Sequence, residues 1–332
     1  MDGLGDWPVF GADVAFEVAQ EALSELGLSD GLPLVPPTDQ RLAAMLAAAA
    51  DPAFSHGQLP PLFGSLTSAA VAYNCVLAGC LPGALPVVLT AVVACMEEKF
   101  NLLGLATTTG SPAVATVVHG PAAGALGMNG GINCLGPGSP ANATLGRAVS
   151  LVLRNIAGMR SGAGDMATMG QPGKYSFCFT ERESSPFSPL HVRRGLPDGS
   201  SAVTVFGVSG TIEVLPSSDS GNWDSPEAVL DPVVTAMRAV QIVGGGARKP
   251  EASEQVLLLP PELAALIAQR GWDLARVQRY IFEGAAPIAD GPIAASPDDI
   301  HVVVTGGPGN KMTVLPLWGG GTRAVTHKMI VP

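Results

Sequence analysis

The chain has 332 residues, of which 47% are hydrophobic and only 14% are charged, and its formal net charge is −10. Its 41 glycines and 29 prolines indicate many short elements joined by tight turns, which excludes a coiled coil, a helical bundle and a disordered chain. Because the 18 lysines and arginines are scattered along an acidic chain, the sequence predicts no nucleic-acid partner.

The cysteines and the N-terminal residues predict the cellular compartment. The five cysteines form no C-x-x-C pair and are odd in number, so neither a disulfide framework nor a zinc knuckle is indicated and reduced thiols are expected. The first ten residues, MDGLGDWPVF, lack the basic start and apolar run of a secretory signal. We therefore expect a cytoplasmic protein.

The first part of the chain predicts two helices and then a long apolar region. The apolar spacing favours a helix from about 13 to 26 and a second helix over 39–49, which Thr38 caps. Between Pro52 and Gly146 the only charged residues are Glu97, Glu98 and Lys99. The helices predicted there, near 66–80 and 85–98, are shorter than the roughly 20 residues that a membrane span needs. We expect a helical hairpin that is buried or faces another subunit, and hence a homo-oligomer and no membrane contact.

The middle of the chain predicts a strand, a glycine-rich loop and a long helix. Segment 113–119 (AVATVVH) is β-branched and short, like a buried strand, and the loop 127–138 follows it. Ser139 and Pro140 have the sequence of an N-cap and a first helical residue, which opens a helix that runs to about 158. Strands are predicted at 174–180 and 202–215, and a helix at 226–243.

The C-terminal part predicts a strand (255–259), two helices (260–271 and 274–284) and a strand (301–305). This order is typical of a β-α-α-β crossover between parallel strands. The fold class predicted is α/β, with a mixed α+β arrangement left open, and with a mixed sheet and a buried helical hairpin. The region 1–245, which holds the glycine loop, and the unit 246–332 are expected to pack into one globule.

The glycine loop and the helix that follows it predict an anion site. Backbone amides of a loop and of a helix N-terminus together bind a carboxylate or a phosphate. The residues proposed to bind substrate are Gly136, Gly138, Ser139, Asn142 and Arg147. Arg154 lies seven residues after Arg147 on the same predicted helix, so both side chains can face one cleft. The spacing matches no phosphate-loop or dinucleotide-binding motif. The alternatives are that the loop is a simple turn and that the arginines are solvated.

Four residues are candidates for catalysis. Cys80 precedes a Pro-Gly turn and Cys134 lies in the glycine loop, where amides lower a thiol pKa, although free cysteine is also a common core residue. His119 ends a buried strand, from which an imidazole can act as acid or base, with a satisfied buried histidine as the alternative. Lys174 is the fourth.

The segment 164–183 and the remaining histidines complete the candidate residues. Lys174 and Tyr175 lie at a junction of loop and strand, where they can protonate or bind a substrate. Glu181 and Glu183 fall on one strand face and are expected to be solvated. The other histidines show no H-x-x-x-H spacing, so the sequence predicts no metal site. They are His56, His191, His301 and His327.

Four stretches together resemble a poorly characterised bacterial family, and the resemblance covers nearly the whole chain. They are AGCLPGALPVVLTAV (78–92), NCLGPGSPANATLGRA (133–148), QPGKYSFCFTERE (171–183) and PPELAALIAQRGWDLARVQRYIFEGA (260–285). Members of that family occur beside small proteins with a Cys/Sec-Gly-Ser-Cys motif. The resemblance implies a thiol- or selenol-linked transformation of a small molecule, and a small thiol or selenol protein as partner.

The chain departs from that family in its last glycine-rich loop. The family loop resembles Gly-Gly-x-Gly-Lys-His-Ser, whereas positions 306–312 read GGPGNKM and lack the histidine. This departure leaves two alternatives open, a changed substrate and a lost activity. The resemblance assigns no catalytic residue to this chain.

Two functions follow from the sequence. The first is a lyase or hydrolase that acts on a small anionic metabolite, with assistance from a thiol. The second is a non-catalytic subunit that binds substrate for a thiol or selenol protein. A redox enzyme with a bound nucleotide lacks its fingerprint, and the cofactor is left undetermined.

Overall fold

The computed structural model describes residues 5–47, 49–217, 224–243, 254–285 and 293–330. The helices within these ranges are α1 (Phe16–Glu25), α2 (Asp39–Leu46), α3 (Ser68–Ala78), α4 (Leu85–Cys95), α5 (Leu102–Thr107), α6 (Pro121–Ala125), α7 (Pro140–Asn155), α8 (Leu190–Arg193), α9 (Pro226–Val243), α10 (Pro261–Gln269) and α11 (Leu274–Gly284). The strands are β1 (Ser55–Leu59), β2 (Gly64–Thr67), β3 (Ala113–His119), β4 (Cys178–Thr180), β5 (Ala202–Val208), β6 (Ile212–Val214), β7 (Gln255–Leu259), β8 (Ile300–Val304), β9 (Met312–Leu315) and β10 (Val325–Lys328).

The first four-stranded sheet has the order β10-β5-β3-β4. Strands β3 and β4 run parallel, with Val118 opposite Thr180, and β5 pairs antiparallel with β3 along its whole length. Every residue of β3 and of β5 is buried. Because both faces of these strands are covered, they read in the sequence as continuous apolar runs rather than as alternating patterns.

The second four-stranded sheet has the order β6-β9-β7-β8. Strands β7 and β8 are parallel neighbours with α10 and α11 between them in the chain, so the predicted β-α-α-β crossover is confirmed. Strand β9 runs antiparallel to β7, which makes this sheet mixed, as predicted.

The two sheets lie face to face between two layers of helices. One face of the first sheet, with Val118 and Val203, packs on α3, α4 and α7. Its opposite face contributes Val117 and Phe206 to a shared cluster with Val256 and other residues of the second sheet. The far face of the second sheet packs on α9, α10 and α11. The architecture is therefore helix, sheet, sheet, helix, and the α/β class is confirmed.

The predicted hairpin of α3 and α4 is buried within the chain. Every residue of α3 and nearly every residue of α4 is inaccessible to solvent, because α2 and α7 also pack on α3. The apolar stretch that raised the possibility of a subunit interface is thus largely explained by burial in the core. Helix-N-caps at Thr38 and Ser139 are also as predicted: each side chain accepts a backbone N–H of the first turn.

Elements cross between the two predicted regions. Strand β6 and helix α9 precede position 245 yet pack with the second sheet, and β10 follows it yet joins the first sheet. The predicted boundary itself, between 245 and 246, lies outside the described residues.

Two predicted strands differ from the observed ones. In the segment 174–180 only Cys178–Thr180 is a strand, because Pro172 and Gly173 start a 3₁₀ turn at Pro172–Lys174. The segment 202–215 divides at Ser209 and Gly210 into β5 and β6, which belong to different sheets. No described helix has the length and apolar character to cross a membrane.

Candidate functional site

The candidate site lies where several strands end at their carboxyl side. His119 is the last residue of β3, and Glu181 follows β4, the parallel neighbour of β3. The end of β8 meets the same edge, because Arg182 donates its backbone N–H to the carbonyl of Val304 at 2.9 Å. Carboxyl ends of parallel strands are where α/β proteins bind ligands.

A glycine fixes the chain direction directly after His119. Gly120 has φ of +71°, and a Cβ there would lie 2.2 Å from the carbonyl oxygen of Ser200. A side chain is excluded by both the conformation and the space. The turn starts α6 at once, so that α6 forms a wall of the cavity above the strand ends.

His119 is fully enclosed in a chain of hydrogen bonds. Its Nδ1 lies 2.6 Å from Glu181 Oε2, and its Nε2 lies 2.8 Å from Thr204 Oγ1, which in turn lies 2.8 Å from Thr326 Oγ1. Because an ionised carboxylate only accepts, Nδ1 carries the hydrogen. The network therefore fixes the ring of His119 and leaves Glu181 as the member that reaches the cavity.

Glu181 is a buried but ionised carboxylate. Burial acts to raise its pKa, but the hydrogen bond and charge of His119, the charge of Arg193 and the N–H of Leu190 together hold the pKa below its ordinary value. The Leu190 N–H donates to Oε2 at 3.0 Å. The sequence-based expectation that Glu181 is solvated is wrong, because its side chain is only 11% exposed.

His191 is the second imidazole of the site. Its ring centroid lies 5.2 Å from that of His119, and it is carried by α8, whose first N–H binds Glu181. Neither of its nitrogens has a hydrogen-bond partner among the described residues, although the side chain is buried. Burial and the charge of His119 lower the pKa of His191, against the opposing charges of Glu181 and Asp198. His191 is therefore neutral at pH 7.

A cavity of about 650 Å³ opens above Glu181 and His191. Its walls come from α6, from the start of the glycine loop at Met128, Gly130 and Gly131, and from the segment after β4. Charged side chains on the walls are Glu181, Arg182, Glu183 and Asp198. The volume is in the range of small-molecule sites, and three carboxylates against one guanidinium make the cavity acidic.

Three side chains at this site have the donor types of a metal centre. His119, Glu181 and His191 each offer one atom within 4.8 Å of the others. Two ligands bound to one zinc ion at a tetrahedral angle lie about 3.3 Å apart. At 2.6 Å, His119 Nδ1 and Glu181 Oε2 are hydrogen-bonded instead. A metal ion would therefore be held by Glu181 and His191, with His119 orienting the carboxylate.

The predicted anion-binding residues of the glycine loop bind one another. Asn142 donates its amide to the carbonyls of Asn129 and Cys134 and accepts from the Asn129 N–H, while Ser139 Oγ donates to Asn142 Oδ1. Gly136 donates its N–H to the Asn133 carbonyl, and Gly138 adopts φ of +125° in the approach to α7. These groups stabilise the loop, and none of the four lines the cavity of the site.

The predicted cationic residues lie elsewhere and are paired. Arg147 donates to both oxygens of Asp30, at 2.8 and 2.9 Å, and to the carbonyls of Leu32 and Pro33. Lys174 donates to both oxygens of Asp165. Lys174 and the half-exposed Tyr175 line a second cavity, away from His119.

The two candidate thiols are also separated. Cys80 donates to the carbonyl of Thr144 at 3.3 Å and lies among the buried thiols of Cys75 and Cys178. Cys134 is buried behind the glycine loop, where its sulfur accepts from Thr305 Oγ1 at 3.6 Å. The structure brings His119 together with Glu181 and His191, and with none of the other predicted catalytic residues.

Sequence reasoning missed Glu181 and His191 as a pair with His119. The available signal was a histidine at the end of one buried strand and a carboxylate directly after another. It becomes specific only when β3 and β4 are known to be parallel neighbours. Comparisons of the chain with protein-family models, with curated proteins and with solved structures found no match.

Proposed function

We propose that the protein is a lyase or hydrolase that moves protons on a small molecule bound in the cavity above Glu181 and His191. The observation that carries this proposal is a hydrogen-bonded His119–Glu181 pair at the floor of a cavity, directly beside the His191 imidazole, which has no hydrogen-bond partner among the described residues. Ionisable groups gathered in a cavity with pKa values shifted by burial and by one another, as those of Glu181 and His191 are, are typical of acid–base catalysis.

The three side chains have different roles in this proposal. His191, neutral and part of the cavity lining, accepts a proton from the substrate or from a bound water molecule. The carboxylate of Glu181 stabilises the imidazolium ion that results. His119 does not reach the cavity, so it is a positioning residue that keeps Glu181 ionised and oriented.

The charges on the cavity walls favour a particular kind of substrate. Glu181, Glu183 and Asp198 outnumber Arg182, so the reacting end of the substrate is proposed to be neutral or cationic. This differs from the small anionic substrate predicted from the sequence. Thiol assistance has no support from this geometry, because neither Cys80 nor Cys134 lines the cavity.

The proposal is tested by turnover of a metabolite extract by the purified protein, followed by mass spectrometry. We expect one or a few metabolites to be consumed by the wild type and by His327→Gln, a partly exposed histidine paired with Glu97. Turnover should fall roughly 100-fold or more in His191→Gln and in Glu181→Gln. Turnover by these two variants at the rate of the wild type would contradict the proposed roles. If the wild type consumes no metabolite alone but consumes one when a thiol or selenol protein is added, the result would favour the substrate-binding subunit.

A divalent metal ion at Glu181 and His191 is a second candidate, favoured by the three convergent donor atoms. A bound metal ion would polarise a substrate carbonyl or activate water. In the same assay, turnover that requires added Zn²⁺ or Mn²⁺ and is lost with chelator would support this version. Turnover that is indifferent to both would contradict it. The homo-oligomer and the thiol or selenol partner stay predictions.

A further inference from the structure

A second cavity, of about 500 Å³, lies at the opposite end of β3 from the candidate site. Its walls include Pro112, Ala113 and Val114 at the start of that strand, whereas His119 ends it. Six residue steps at about 3.3 Å separate the two ends, which is about 20 Å. A ligand in this cavity would not contact Glu181 or His191.

The charges around this cavity do not cancel. Asp30 is neutralised by Arg147 and Asp165 is neutralised by Lys174, through ion pairs of 2.8 and 2.6 Å. Arg154, which also lines the cavity, makes no ion pair or hydrogen bond with any residue that the structure describes. One positive charge is therefore left over in the wall.

Arg154 is held in an unfavourable electrostatic setting. Burial and the positive charge of Arg160 both lower its pKa from the usual value of an arginine, against the weaker effect of Asp30. The Nε atoms of Arg154 and Arg160 are both buried without a partner among the described residues. Arg154 is partly buried, and its buried Nε lacks an acceptor among the described residues, so an external anion would relieve the repulsion and supply that acceptor.

The other walls show what kind of anion fits. Leu153, Met159 and Met169 present apolar surface, and the hydroxyl-bearing residues Ser150, Ser161 and Tyr175 surround the same space. Mixed apolar walls with a few polar groups are typical of sites for organic molecules rather than for bare inorganic ions. A planar guanidinium pairs best with a carboxylate, through two parallel hydrogen bonds.

We propose that this cavity binds a small organic carboxylate, with its carboxylate on Arg154 and its apolar part against Leu153 and Met159. The site is distinct from the proposed catalytic site, and the proposal does not rest on the function proposed there. Arg147 and Arg154 both lie on α7, and because Asp30 already pairs with Arg147, the proposed anion site falls at the second of these arginines.

The experiment is calorimetric titration of the full chain with benzoate and, separately, with inorganic phosphate. We expect benzoate to bind, to bind more tightly than phosphate, and to bind roughly tenfold to a hundredfold more weakly to Arg154→Gln. Arg279→Gln, an exposed arginine, makes the same change in net charge and should bind as the wild type does. His191→Gln should also bind benzoate normally, which separates this proposal from the catalytic one.

The thermal stability of Arg154→Gln shows whether a loss of benzoate binding comes from unfolding of the variant. Because the substitution removes the repulsion with Arg160, we expect its unfolding temperature without ligand to be no lower than that of the wild type. Unchanged benzoate affinity in Arg154→Gln, or no benzoate binding by the wild type, would overturn the proposal. Tighter binding of phosphate than of benzoate would overturn its assignment to an organic carboxylate.

Discussion

Replacing His119 by leucine is expected to lower the free energy of unfolding by about 3–5 kcal/mol, because it leaves a buried carboxylate without its partner. Glu181→Leu should also destabilise the fold, since it removes the acceptor of the His119 and Leu190 N–H groups. The loss of unfolding free energy in the double variant should be smaller than the sum of the losses in the two single variants, by about 0.5–3 kcal/mol, because each single change disrupts the same network.

Chemical denaturation of the two single variants and the double variant measures this coupling. The partly exposed pair His327–Glu97 is a matched control, and removing His327 there should change stability by less than about 1 kcal/mol. Additivity of the two site substitutions within about 0.5 kcal/mol would show that His119 and Glu181 are not energetically coupled.

Phe206→Ala is expected to destabilise the protein by about 3–5 kcal/mol, because Phe206 is fully buried between the two sheets. Its ring also packs on His301 of the second sheet, with centroids 5.5 Å apart. Because β6 pairs with a strand that follows position 245 and β10 pairs with a strand that precedes it, the two sheets should unfold in one cooperative transition. The loss of the Phe206 ring should shift that transition.

Calorimetry and circular dichroism distinguish the outcomes for this variant. Phe16→Ala removes an exposed ring of the same kind and should change the free energy of unfolding by no more than about 0.5 kcal/mol. Two separate transitions, with only one of them shifted by Phe206→Ala, would contradict the shared core between the sheets.

Much of the fold can be predicted from local patterns in the sequence. Strand β3 is bounded as expected because seven consecutive buried residues, several of them β-branched, lie between Pro112 and a Gly-Pro turn. Helix α7 starts at Ser139 because a side-chain cap and a following proline are local signals. The crossover of β7 and β8 follows from the order of its elements alone.

What could not be predicted depends on pairing between distant segments. The sequence predicts that Arg147 is available to a substrate, because its partner Asp30 lies 117 positions away and no local signal indicates the pairing. The partition of 202–215 between two sheets depends on β9 and β10, which come about a hundred residues later. The candidate site shares this property, since His119 and Glu181 come together only through the parallel pairing of β3 and β4.

The measurement that tests the site most directly is a pH titration of the His191 imidazole by nuclear magnetic resonance, in the wild type and in Glu181→Gln. We expect a pKa below the usual 6.5 in the wild type, so that His191 stays neutral while the unfolded chain takes up its proton as the pH falls below that value. Since the charge of Glu181 raises the pKa of His191, the variant should titrate at a still lower pH. A pKa at or above 6.5, or one that Glu181→Gln leaves unchanged, would contradict a neutral base beside an ionised carboxylate.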